Sequence, residues 1–178
     1  MKTVHQDPEE IFEVYDHSGK KTGRARRSEV HGNPALVHRV AHVLVFNSAG
    51  DLYLQKRSEV KDIQPGKWDT SVGGHLDLGE GYLQAAKREL KEELGVTERV
   101  ELVRLYDYPW RNKIESEDVR TYAATFDGPI NPDPAEISEG KFWKMAEVKE
   151  AVGSGIFTPN FEKELELYRQ WFELSGKA

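Results

Sequence analysis

The stretch Gly74–Val96, GHLDLGEGYLQAAKRELKEELGV, restricts the fold more than any other part of the chain. It holds a glycine-rich turn, then Glu80, then a run closing on Arg88-Glu89-Leu90-Lys91-Glu92-Glu93-Leu94-Gly95-Val96. Leu83, Ala86, Leu90 and Leu94 recur at helical spacing. The pattern therefore predicts a helix over Glu80–Leu94, with Gly95 at its C-terminal cap. On that helix Glu89, Glu92 and Glu93 stand at i, i+3 and i+4, which puts three carboxylates on one face within a turn. Like charges so close repel. A hard divalent cation removes that cost, because Mg²⁺ prefers carboxylate and water oxygens. The stretch is thus read as an acidic, oxygen-ligand metal site, against the plainer alternative of a solvated acidic face.

Around it, strands and turns alternate. Ile11–Asp16 reads as a strand, with His17–Lys20 as its turn and Lys21–Arg26 as a second strand. Arg27–Gly32 reads as a short helix. Valine-dense Val37–Asn47 is the strongest strand, and Leu52–Arg57 is expected as its hairpin partner across Asn47–Asp51. Ser58–Lys67 is a polar loop, and Trp68–Gly73 a short strand running into the glycine turn. Strands are expected at Val100–Tyr108, Val119–Phe126 and Lys141–Met145, with a loop over Asp127–Glu139. Ala146–Val152 and Asn160–Leu174 read as helices, the second amphipathic, its apolar stripe covering the core or, less favoured, a dimer contact. Mixed elements without regular βαβ alternation point to an α+β fold with a mixed sheet. The 178 residues suit one domain, read as 10–178 behind a flexible polar N-terminus, 1–9.

Composition narrows the function. A net charge of −6 argues against broad binding to nucleic-acid polymers or anionic membranes. The absence of cysteine excludes disulfides, thiolate zinc sites and a thiol nucleophile, and fits a cytoplasmic protein. The opening residues lack the apolar segment of a secretory signal, and no apolar run approaches the ~20 residues a membrane helix needs.

The spacing of Gly74, Glu80, Arg88-Glu89-Leu90, Glu92-Glu93 and Gly95-Val96 resembles the Nudix box at every defined position. That resemblance implies an α/β/α sandwich around a mixed sheet and a Mg²⁺- or Mn²⁺-dependent hydrolase of diphosphate linkages, such as those of nucleoside diphosphate-X compounds. It implies Glu89, Glu92 and Glu93 as metal ligands, joined by the main-chain carbonyl of Gly73. Glu92 or Glu93 would orient the attacking water. Gly74 and Gly95, and a salt bridge between Glu80 and Arg88, would be structural. The implied chemistry agrees with elementary electrostatics, since cleaving a diphosphate requires cations over its oxygens.

Outside the box the chain resembles the isopentenyl diphosphate isomerase branch of the same family. The resemblance rests on His31, His38, the segments FNSAGDLYLQKR and PGKWDTSVGGH, and Glu115-x-Glu117. It implies a second metal site at His31, His38, His75, Glu115 and Glu117, suited to Mn²⁺ or Zn²⁺. It also implies Arg57 and Lys61 as diphosphate-binding cations. Two positions depart from that branch. Gly73 stands where the isomerases carry a catalytic cysteine, and Gly155 and Ile156 stand near their carbocation-sheltering tryptophan. The residues needed for isomerisation are lost and those for hydrolysis kept, so the chain is read as an isomerase-like hydrolase. Isopentenyl diphosphate isomerase and a non-catalytic nucleotide sensor are the alternatives. Glu117 is the favoured acid from outside the box, with Glu115, Glu136 and Glu139 as rivals. Trp110 is the best aromatic to stack on a substrate. His42 reads as an ordinary packed or surface histidine. The expected partner is a small-molecule diphosphate, and the chain a monomer or homodimer.

Overall fold

Ten residues, Val37–Phe46 (β3), form the spine of the sheet. Their β-branched density suits a strand buried on both faces. One edge of β3 is taken along its whole length by Ser116–Thr125 (β8), in parallel, from Val37↔Ser116 to Phe46↔Thr125. The other edge is shared by three antiparallel neighbours. Ile11–Tyr15 (β1) meets it at Val37, Val72–His75 (β6) at Val40–Val43, and Leu52–Arg57 (β4) at Phe46. Lys21–Arg26 (β2) extends the sheet beyond β1, and Val103–Arg111 (β7) beyond β8. The structure, a computed structural model, describes residues 7–61 and 63–176.

Three expectations change here. β4 is not a full hairpin partner of β3. Because β6 holds the middle of that edge, β4 diverges after one pair, Phe46↔Leu52. It pairs instead with Ile137–Trp143 (β9) and with Trp68–Asp69 (β5). The expected strand at Lys141–Met145 therefore begins earlier, at Ile137. The expected strand-then-turn at Gly73–Gly74 is also revised: β6 continues through both glycines to His75, and the turn falls at Asp77–Glu80. Most of the expected N-terminal tail lies outside the described residues. Of the rest, Pro8 accepts a backbone hydrogen bond from Ser28.

Strand alternation divides β3 between two cores. Ala41, Val43 and Val45 pack with Val72 and with Ala85, Ala86, Leu90 and Leu94 of the helix Tyr82–Leu94 (α2). Leu44 and Phe46 face the opposite side. There they pack with Leu52, Leu54, Phe157, and Phe161 and Leu165 of the helix Pro159–Leu174 (α4). Arg27–Val30 (α1) and Met145–Ala151 (α3) complete the helices. Each fully buried Leu or Phe contributes about 1.5–3 kcal/mol, so both helical layers are held mainly by these stripes. The result is the α+β arrangement expected, with helices on both faces of a mixed sheet.

Local chemistry sets the ends of α2. Glu80 does not start the helix, because its carboxylate turns back to accept from the Asp77 N–H at 2.9 Å. Gly81 caps instead, donating its N–H to the Gln84 side chain at 2.9 Å. At the other end Gly95 has φ 66°, the left-handed cap conformation that favours glycine, as the sequence suggested.

Candidate active site

A cavity of about 480 Å³ opens where the first half of β3, β6, α2 and the N-terminus of α4 converge. Its carboxylate wall comes from α2. Glu89 and Glu93, one turn apart, point inward and are only 4% and 7% exposed. Gly74 explains how Glu89 reaches the wall. Gly74 pairs with Ala41 and faces α2, and a Cβ built on it would stand 2.0 Å from Glu89 Cδ. Glu93 accepts from Gln55 Nε2 at 3.0 Å and from the Gly73 N–H. Glu92 lies on the helix flank, where its carboxylate accepts from Arg88 Nη1 at 3.2 Å, and it is not among the residues lining the cavity. Burial pushes the Glu89 carboxyl up to about 7 against the pull of Arg88. Burial, reinforced by the charge of Glu89, pushes Glu93 up to about 7 as well. Two buried acids that resist ionisation together form a wall that a divalent cation would stabilise.

Arg88 ties the wall to the turn before α2. It donates to both oxygens of Glu80 at 3.0 and 2.8 Å, to the His75 carbonyl at 2.8 Å and to Glu89 Oε1 at 2.6 Å. A lysine is a point charge and cannot reproduce this fork. Arg88→Lys is expected to lower stability by about 1–3 kcal/mol, read from the urea midpoint. An unchanged midpoint would show that the fork contributes nothing in water.

Next to this wall lies a histidine cluster. His38 begins β3, His75 ends β6, and His31 follows α1. One ring nitrogen from each lies within 4.8 Å of the others. Glu117 sits beside them on β8, its Oε1 3.4 Å from His38 Nε2 and 3.9 Å from His75 Nε2. Glu115 Oε2 is 4.0 Å from His31 Nε2. Phe12 stacks on His75 at 4.5 Å and on His38 at 5.6 Å. Burial, then the neighbouring imidazoles, hold the His75 pKa well below its ordinary value, which leaves the neutral form that binds metals. Burial and the charge of Glu117 push Glu115 up to about 7. Burial also raises Glu117, but the imidazoles around it, His38 foremost, more than offset this and lower it. Nδ1 of His38 is buried without a hydrogen-bond partner, a costly arrangement for a solely structural residue. Mixed imidazole and carboxylate donors suit a first-row divalent ion, and the histidine triad could hold one.

Arg57, Lys61 and Trp110 also reach the cavity, whereas Glu136 and Glu139 are not among its lining residues. Arg57 donates to the Ile63 carbonyl at 2.9 Å and to Asp69 Oδ2 at 3.2 Å. Lys61 pairs with Glu136, and Trp110 pairs across the β7–β8 hairpin with Glu117. Both strands of that hairpin reach further toward its turn than expected, which brings Trp110 and Glu117 onto regular strands. Glu139 lies on β9 opposite Lys56, away from the lining.

Sequence reasoning passed over one group. His42, on the same face of β3 as His38, lines the cavity. Its Nδ1 lies 3.2 Å from each oxygen of Glu164 on α4. Burial disfavours a charged His42, but the adjacent Glu164 carboxylate overrides this and raises the imidazole pKa to about 9. The period-two spacing of His38 and His42 was the available signal. Glu164, hidden in a helix read as core cover, gave none.

Residues 36–161 match the family model described as NUDIX domain. The chain belongs to the Nudix family. An uncharacterized Nudix hydrolase of Pseudomonas aeruginosa is 32% identical over 161 residues, covering 89% of this chain and 93% of the relative. An isopentenyl-diphosphate Delta-isomerase of Nocardia farcinica is 33% identical over 161 residues, covering 87% and 92%. The isomerase-like resemblance is thus matched by relatives bearing that name. The crystal structure of DR0079 from Deinococcus radiodurans superposes with a TM-score of 0.75 at 24% identity, covering 90% of this chain and 98% of that one, and shares the fold. Family and relatives together place this Nudix protein among the enzymes that act on phosphorus-containing anhydrides. Among the described residues, no helix is long and apolar enough to cross a membrane.

Proposed function

We propose that this Nudix protein is a divalent-metal-dependent hydrolase of a diphosphate linkage, in a nucleoside diphosphate-X type or related substrate. The observation that carries the reading is the pair Glu89 and Glu93, buried side by side against the glycine backbone of β6. Two carboxyls in that setting gain most when a cation shares them. Glu89, Glu93 and the Gly73 carbonyl would hold Mg²⁺ or Mn²⁺, with Glu92 adding charge from the flank. When bound, such an ion draws charge from the phosphate oxygens and acidifies water. Arg57 and Lys61 would take the outer phosphate oxygens, released from Asp69 and Glu136 as the substrate's charge replaces theirs. Glu93, with a pKa near 7, is suited to accept the proton of the attacking water, and Glu117 is the alternative base. Trp110 would pack on the attached group.

The histidine cluster supports a second reading, an isopentenyl diphosphate isomerase with Mn²⁺ or Zn²⁺ at His31, His38, His75, Glu115 and Glu117. Against it, the chain has no cysteine, and position 73 is glycine.

One experiment separates the two. Nucleoside triphosphates, nucleotide sugars, dinucleotides and prenyl diphosphates are incubated with Mg²⁺ or Mn²⁺ in oxygen-18 water and followed by phosphorus NMR. Cleavage with the heavy isotope on one phosphorus is expected for at least one substrate. Conversion of isopentenyl diphosphate to its allylic isomer, with no anhydride cleaved, would overturn the proposal.

A further inference from the structure

The pair between β3 and α4 lies directly under the cavity floor. Glu164 is 0% exposed, and its carboxylate accepts from Thr121 Oγ1 at 2.6 Å as well as facing His42 Nδ1. A carboxylate sealed from water requires a counter-charge in contact. Among the described residues, His42 is the basic side chain paired with it. With Nδ1 turned to Glu164, the opposite ring edge is left for the cavity, which His42 lines.

That edge lies over β6. His42 pairs directly with Gly73, and a Cβ built on Gly73 would meet His42 Cδ2 and Nε2 at 3.1 Å. The imidazole thus fills the space that a side chain at position 73 would enter. Its outer nitrogen stands beside the strand whose next residue, Gly74, backs Glu89.

We propose that His42 is a substrate-binding residue, its Nε2–H donating a hydrogen bond to a phosphoryl oxygen, with Glu164 as the positioning residue that orients the ring. The inference rests on the hydrolase reading for the presence of a phosphoryl group at that spot. It also bears on the choice of chemistry. A fixed cation in the floor attracts phosphate oxygens and the negative charge a departing phosphate acquires, whereas it repels a developing carbocation. The competing role is a strut that fastens α4 to the sheet and never meets the ligand.

The test uses methylenediphosphonate, an uncleavable diphosphate, with Mg²⁺ and the full chain. Replacing His42 alone would strand the charge of Glu164, so the main variant is the double His42→Gln, Glu164→Gln, which removes both charges and keeps polar groups of similar size. Calorimetric affinity is expected to fall at least ~10-fold. The ¹⁵N resonance of wild-type His42 Nε2 is expected to move on ligand addition, a readout that needs no variant to fold. Glu164→Gln alone is expected to weaken binding and shift the free-state Nε2 resonance toward the neutral ring. A strut would lower the melting temperature and leave affinity and resonance unchanged, and that result overturns the proposal. Wild-type protein that fails to bind methylenediphosphonate at all would overturn the hydrolase reading along with it, so the two failures are distinct.

Discussion

Glu93→Gln is expected to reduce turnover at least ~100-fold while making the metal-free protein more stable at pH 8. The two effects share one cause. The carboxyl of Glu93 is buried next to Glu89, and its pKa rises from 4.5 to about 7. Between those values the folded protein holds a proton that the unfolded chain has released, so stability falls as pH rises across that window. Below about pH 4.5 the penalty from this group is absent, and above about pH 7 it is complete. Glutamine keeps the shape and the contact with Gln55 but never ionises, so the variant is more stable than wild type at pH 8 and little changed near pH 5. Urea unfolding at the two pH values measures this. Adding Mg²⁺ should narrow the gap, because the wild-type pair then has its counter-charge. Near-normal turnover would remove the α2 wall from the chemistry. A variant less stable than wild type at pH 8 would show that the buried charge is already compensated.

Gly74→Ala is expected to do comparable damage to turnover, at least ~100-fold, by a steric route. The added methyl would lie 2.0 Å from Glu89 Cδ and 2.4 Å from its Cγ, far inside contact distance. Glu89 cannot simply swing aside, because Arg88 Nη1 holds it at 2.6 Å. Either the carboxylate leaves the wall or β6 pulls away from β3. Overpacking of this kind lowers stability by about 1–3 kcal/mol. The double variant Gly74→Ala, Glu89→Ala should recover most of that stability and none of the turnover. Wild-type turnover in Gly74→Ala would mean that Glu89 has no part in the reaction. In this respect the two substitutions are opposites: one removes charge and relieves the fold, the other keeps charge and strains it.

How much was legible in the chain depended on the distance over which each feature is written. α2 and its Gly95 cap follow from local spacing, and both could be read directly. The Glu80–Arg88 bridge was also foreseen, though from family resemblance. β4 was misassigned because a tight turn ordinarily makes a hairpin, and nothing local shows that β6 claims the same edge of β3. The gathering of His31, His38, His75, Glu115 and Glu117 came from resemblance, since no periodicity connects residues on β3, β6, β8 and two loops. The His42–Glu164 pair spans 122 residues, and each member looked ordinary where it stood. Glu92 shows the limit in the other direction. Helical spacing groups it correctly with Glu89 and Glu93, but only the packing of α2 on the sheet decides which of the three turn inward.

β3 has a consequence for how such a protein can change. Of its even residues, Val40 and His42 line the cavity and His38 lies on the same face of the strand, while Ala41, Val43 and Val45 face α2. In the first half of β3, the residues packed on α2 and the histidines of the site are therefore written on alternate letters and share a single reading frame. A slip of one residue would send both histidines under an apolar helix and put alanine and valine in the floor of the cavity. An insertion or deletion within β3 would therefore disturb core and cavity together. New specificity has to come by substitution along the even letters, or from the loops that surround them.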